Sequence, residues 1–134
     1  MMQAYITSMP LIYNEMFIAI YDRLKEIKNE GGKIYFASDE GVAAGKARIE
    51  EFDKLAEGYK IFDGVIGYSG GREKSAEAIM KFAKENNFDA THALFITNSD
   101  VEHQAMNQAD IPCMNTQFYN RQNLLCDLDQ LIPS

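Results

Sequence analysis

Between Ala93 and Met114 the chain reads ALFITNSDVEHQAMNQADIPCM, and no other stretch constrains the fold as tightly. Ala93 to Ile96 is a short apolar run suited to a strand. Thr97-Asn98-Ser99-Asp100 makes a polar turn, Val101 to Gln108 a short helix, and a second strand runs from Ile111 to Asn115. A strand, a helix and a second apolar strand in that order form a parallel βαβ unit, whose polar turn lies where parallel sheets keep their ligand sites. This turn carries amides and hydroxyls where a metal-dependent site needs carboxylates.

The rest of the chain repeats the alternation. Gln3 to Ser8 is expected as the first strand, broken by Met9-Pro10. Phe17, Ile20, Tyr21, Leu24 and Ile27 fall three and four apart, as one buried helical stripe requires, and Gly31-Gly32 stops that helix. Lys33 to Ser38 is the second strand, Ala43 to Leu55 the second helix and Ile61 to Tyr68 the third strand. A third helix from Arg72 to Asn86 presents Ala76, Ile79, Met80 and Ala83 inward. A final helix uses Leu124, Leu125, Leu128, Leu131 and Ile132. The expectation is one α/β domain over residues 1–134: a three-layer α/β/α sandwich on a five-stranded parallel, Rossmann-like sheet, without a separate cap domain.

Composition narrows function mainly by exclusion. A net charge of −7 argues against nucleic acid as a partner, because binding its backbone relies on clustered Lys and Arg. No apolar run is long enough to span a membrane, and the N-terminus lacks the basic-then-apolar order of a signal peptide, so the expected location is cytoplasmic. Cys113 and Cys126 have no metal-ligand spacing and are expected as reduced, packed thiols. His92 and His103 have no Cys or Ser partner in the pattern and are expected in surface or packing roles.

Each expected strand runs into small polar residues: Thr7-Ser8, Ser38-Asp39, Ser69-Gly70-Gly71, Thr97-Asn98-Ser99 and Asn115-Thr116. In a parallel sheet these gather at one edge, facing the positive ends of the following helices, and such a rim suits an anionic ligand. Singly, each is an ordinary helix cap. The candidate binding residues are therefore Thr7, Ser8, Ser38, Asp39, Ser69, Gly70, Gly71, Arg72, Lys74, Asn98, Ser99 and Asp100, with Ser69-Gly70-Gly71-Arg72 and Lys74 the strongest phosphate cradle. Gly41 to Lys46 (GVAAGK) imitates a nucleotide phosphate loop but is one residue short, and Ala47 stands where a Mg²⁺-binding hydroxyl belongs.

The phrases DRLKEIKNEGGKIYFAS, GYKIFDGVIGYSGGREKSAEAI and ITNSDVEHQAMNQADIP resemble the haloacid dehalogenase-like superfamily of phosphohydrolases, over most of the chain. The resemblance implies a sheet order 5-4-1-2-3 with the first strand central. It also implies a phosphate-binding role for Ser38, and a phosphoryl-stabilising role for Lys74 with Arg72 as a substitute. The departures concern chemistry. That family ends its first strand in two aspartates that supply the nucleophile and hold Mg²⁺, whereas this strand ends Ile6-Thr7-Ser8-Met9. Near the fourth strand the corresponding positions hold Asn98, Asp100 and Glu102. Leu124 to Asp129 (LLCDLD) imitates the missing motif, but its leucines keep helical spacing. SGGREKSAEAI followed by ALFITNSD also looks like the von Willebrand factor A-like domain, whose metal motif needs an acid near Ile6 that this chain lacks.

The function expected from these features is a non-catalytic module that binds a small anionic ligand or a protein partner at the rim, with no metal or cofactor and with homo-oligomers possible. The alternatives are a divergent Mg²⁺-dependent phosphomonoesterase or nucleotidase using Asp39, Asp100 and Glu102, and a von Willebrand factor A-like interaction domain.

Overall fold

A computed structural model describes residues 3–8, 15–55 and 60–116. Strands β1 (Ala4–Thr7), β2 (Ile34–Ser38), β3 (Gly64–Gly67), β4 (Ala93–Thr97) and β5 (Cys113–Asn115) form one sheet in the order β3-β2-β1-β4-β5. Every pairing is parallel, with β1 central between β2 and β4. The architecture and the strand order expected from the sequence are both observed. The expected terminal helix, LLCDLD and Cys126 lie outside the described residues.

Alternation along the inner strands sorts the core into two layers. Tyr5, Leu94 and Ile96 point to one face, where they meet Ile20, Tyr21, Leu24 and Ile27 of α1 (Glu15–Asn29) and Phe52 of α2 (Val42–Leu55). Ala4, Ile6, Ala93 and Phe95 point to the other, against Ala76, Ile79 and Ala83 of α3 (Ser75–Glu85) and Met106 of α4 (Asp100–Gln108). A central strand buried on both faces has no room for polar alternation, so AYIT and ALFIT read as unbroken apolar runs closed by a hydroxyl. Met80 departs from its expected place: it is 50% exposed, one step round α3 from the Ile79 stripe. The third helix also begins later than expected, since Arg72–Lys74 is a 3₁₀ turn preceding α3.

Two strands are shorter than their apolar runs. β3 begins at Gly64: just before it the Asp63 carboxylate accepts the Ile34 N–H at 2.8 Å, a bond a ladder carbonyl would otherwise take, while the Asp63 N–H donates to the Ile34 carbonyl at 2.7 Å. β5 starts at Cys113 because Pro112 has no N–H to give; its carbonyl still accepts from Phe95 N–H at 2.9 Å. Asp63 also pairs with Lys28 near the end of α1. Burial alone would raise the Asp63 pKa, but the Lys28 and Ile34 hydrogen bonds outweigh it and hold the carboxyl below its ordinary value. A depressed carboxylate pKa adds stability above the unfolded value and loses it as pH falls through the folded one. Asp63→Asn is therefore expected to cost under about 1 kcal/mol at pH 7, because the pair is partly solvated. Urea midpoints of variant and wild type should converge once pH has fallen through the lowered Asp63 pKa; a gap that persists there would reject this account.

Candidate functional site

The chain starts at the sheet centre, moves outward to β3, then returns to β4 on the other side of β1. The reversal places a switch point at the C-terminal ends of β1 and β4, where open α/β sheets form a crevice. The residues delivered there are Thr7 and Ser8 from β1 and Thr97, Asn98 and Ser99 from β4. Ser99 begins α4: its hydroxyl accepts the Glu102 N–H at 3.3 Å. Asp100 and Glu102 then fall in the first helical turn, where the helix dipole favours negative charge.

Glu102 occupies the middle of the crevice and is 1% exposed. Its Oε1 accepts from Ser8 Oγ at 2.7 Å and Thr97 Oγ1 at 2.8 Å, and its Oε2 accepts from Tyr68 OH at 2.6 Å. Arg72 Nη1 stands 3.8 Å from Oε1, and Arg72 Nε stands 3.5 Å from Asp39. Thr97 Oγ1 also accepts the Ser99 N–H at 3.0 Å. Burial, reinforced by the bond to Glu102, holds the Tyr68 hydroxyl far above its ordinary pKa, so it stays a proton donor. Side chains from β1, β4 and the end of β3 thus converge on one carboxylate.

Beside this cluster lies a cavity of about 60 Å³ lined by Ser8, Phe36, Ala37, Ser38, Asp39, Arg48 and Arg72. Four of the expected rim residues meet here: Ser8, Ser38, Asp39 and Arg72. Arg48, from α2, joins them and also pairs with Glu40. Ser38 Oγ accepts the Glu40 N–H at 3.4 Å, so its hydroxyl hydrogen remains available to a ligand.

The other expected rim residues are dispersed. Thr7 is fully buried and its hydroxyl donates to the Ile96 carbonyl at 3.1 Å. Ser69, Gly70, Gly71 and Lys74 are exposed, with Lys74 leaning 4.0 Å from Glu77. Gly71 is required by its backbone: φ is +108° and a Cβ would lie 2.5 Å from Glu73. Asn98 is half-buried, Ser99 serves as the α4 cap, and Asp100 accepts from Asn115 Nδ2 at 2.9 Å. The GVAAGK stretch is not a phosphate loop, because Val42 to Lys46 already belongs to α2 and Gly45 is buried against Ser38 and Val65.

The remaining reactive side chains do not line the cavity. Cys113 is free and half-buried, and burial with a smaller push from Glu102 raises its thiol pKa to about 12, so it is protonated at neutral pH. His92 is exposed beside Asp89, and His103 Nδ1 lies 3.4 Å from Asn115 Nδ2. Among the described residues no group of three or more His, Cys, Asp and Glu side chains is placed to hold a metal ion. No helix among them is long and apolar enough to cross a membrane. Sequence reading missed Arg48 and Tyr68, and met Glu102 only as an alternative metal ligand. The available signal was Ser99-x-x-Glu102, the spacing of a capping box, which places that acid at a helix start beside the strand-end hydroxyls.

No protein-family model matches the sequence, and no curated protein matches it. Among solved structures, the fold is similar to one named as a haloacid dehalogenase-like hydrolase from Bacteroides fragilis, with TM-score 0.56 and 18% identity. The match covers 78% of this chain and 50% of that protein, so the chain spans about half the length of its structural neighbour. At that identity the likeness establishes a haloacid dehalogenase-like fold.

Proposed function

We propose that this chain is a non-catalytic haloacid dehalogenase-like domain that binds a small anionic ligand at the C-terminal rim of its sheet. The observation that carries the reading is the 60 Å³ cavity where two arginines, Arg48 and Arg72, and the Ser38 hydroxyl converge beside a β1 end that bears no carboxylate, with Ser8 lining it while its own hydroxyl donates to Glu102. Guanidinium groups and hydroxyls are the donors an oxyanion needs, and the volume suits one small anion.

Phosphoryl transfer of the haloacid dehalogenase type needs a nucleophilic carboxylate and a metal at the end of the first strand. Thr7 donates to a carbonyl, and the one carboxylate that accepts from Ser8, Glu102, is buried and also holds Thr97 and Tyr68, so neither hydroxyl repeats the carboxylate nucleophile of that chemistry. The acids that a divergent phosphatase would recruit already have partners: Asp39 faces Arg72, Asp100 accepts from Asn115, and Glu102 holds the hydroxyl cluster. The same ion pairs limit affinity, because an incoming anion competes with Asp39 and Glu40 for the arginines.

Inorganic phosphate is expected to bind with Kd in the range of about 0.1–10 mM, or roughly 3–5 kcal/mol. Titration followed by backbone amide shifts should move Ser8, Ser38 and Arg72 first. Arg48→Ala and Arg72→Ala should each weaken binding by about fivefold or more. Unchanged affinity in both variants would remove the cavity as the site. Phosphate release from p-nitrophenyl phosphate with Mg²⁺, abolished by EDTA and by Asp100→Asn, would overturn the non-catalytic reading.

A further inference from the structure

We infer that the cluster around Glu102 is a carboxylate-binding site that the chain fills with its own side chain. The inference stands independently of any anion in the neighbouring cavity. A buried carboxylate is tolerated only when donors replace its lost water. Here the donors come from separate parts of the chain: Ser8 after β1, Tyr68 after β3 and Thr97 at the end of β4, with Arg72 at 3.8 Å. Tyr68, Thr97 and Glu102 are all buried, so the seat is enclosed as well as polar. Its donors sit on the sheet and the turn after β3, while the acceptor arrives on the first turn of α4. The framework therefore supplies a receptor and the helix supplies its ligand.

The ligand class follows from what Glu102 contributes. Beyond Cβ, a glutamate side chain is one methylene and one carboxylate, which are the heavy atoms of acetate. Glu102→Ala should leave a polar, acetate-shaped cavity with its hydroxyl donors in place. In the native chain a free anion meets that seat already occupied. It can bind beside Arg48 but displaces nothing at Tyr68.

The test is chemical rescue of the full-length chain. Glu102→Ala should unfold at a lower temperature than wild type in sodium chloride. Sodium acetate at the same ionic strength should restore it saturably, by roughly 3–6 °C at tenfold above half-saturation. Wild type should respond less, and only through the neighbouring cavity, a response that Arg48→Ala removes. Glu102→Gln keeps the seat filled, so acetate should stabilise it no more than it does wild type. Adding Arg48→Ala to Glu102→Ala should leave the rescue intact, which separates this seat from the neighbouring cavity. If Glu102→Ala is insoluble in chloride, refolding from urea should succeed in acetate and fail in chloride. An acetate effect equal to that of chloride, an equal response in wild type or Glu102→Gln, or failure to refold in either salt would each overturn the inference.

Discussion

Thr97→Val is expected to destabilise the protein by about 2–4 kcal/mol while leaving its shape nearly unchanged. Valine replaces the hydroxyl with a methyl of similar size, so packing in the core is conserved. What is lost is polar. Glu102 Oε1 loses its 2.8 Å donor, and the buried Ser99 N–H loses its 3.0 Å acceptor. A hydrogen bond to a charged group contributes about 1.5–3 kcal/mol, and an orphaned buried N–H adds about 1–3 kcal/mol of desolvation. Both losses fall at the start of α4, so the helix should fray there first. Urea unfolding would give the magnitude, and hydrogen exchange at Val101 to Gln104 would give the location. A loss below about 1 kcal/mol would mean that water substitutes for the hydroxyl and that the cluster is wetter than its burial implies. Tyr68→Phe should follow the same logic on Oε2 with a smaller loss, because only one bond disappears.

The second large effect separates two glycines of one strand. A Cβ on Gly67 would stand 2.4 Å from Val42 N and 2.8 Å from Gly41 C, both backbone atoms that cannot turn aside. The turn after β2 packs directly on β3 at that point, and it also carries Asp39 and the base of the anion cavity. Gly67→Ala is thus expected to cost at least about 1–3 kcal/mol and to weaken phosphate binding with it. On Gly64 the same Cβ would meet only the Tyr35 ring at 3.5 Å, an ordinary contact. Gly64→Ala should be neutral or stabilise by up to about 1 kcal/mol, since alanine has less backbone freedom to lose on folding. Equal effects at the two positions would show that backbone entropy, and not the close approach of the turn, governs β3.

The order of the elements and the burial of both faces of the sheet were legible in the sequence because they depend on local periodicity. Ile20, Tyr21, Leu24 and Ile27 announce one helical stripe, and AYIT and ALFIT announce strands covered on both sides. The central place of β1 came from family resemblance, and the parallel register confirms it. Element ends were less legible. β3 and β5 begin just after Asp63 and Pro112, whose effects depend on which strand lies alongside.

The rim was legible as a position and illegible as a circuit. The sequence by itself determined that small polar residues end every strand and so share one edge of a parallel sheet. Only the tertiary structure decided which of them face one another. Ser8 and Glu102 are separated by 94 positions, and Tyr68 and Glu102 by 34, yet each pair meets within hydrogen-bond distance. Such pairings follow from strand order and helix placement, which no local pattern encodes. The same folding step left Ser69, Gly70, Gly71 and Lys74 in solvent, kept Arg72 at the cavity, and brought Arg48 there from the middle of a helix. A sequence displays the inventory of donors and charges at an edge. Whether a carboxylate is solvated, metal-bound or enclosed by hydroxyls is decided by the low-dielectric space that packing builds around it.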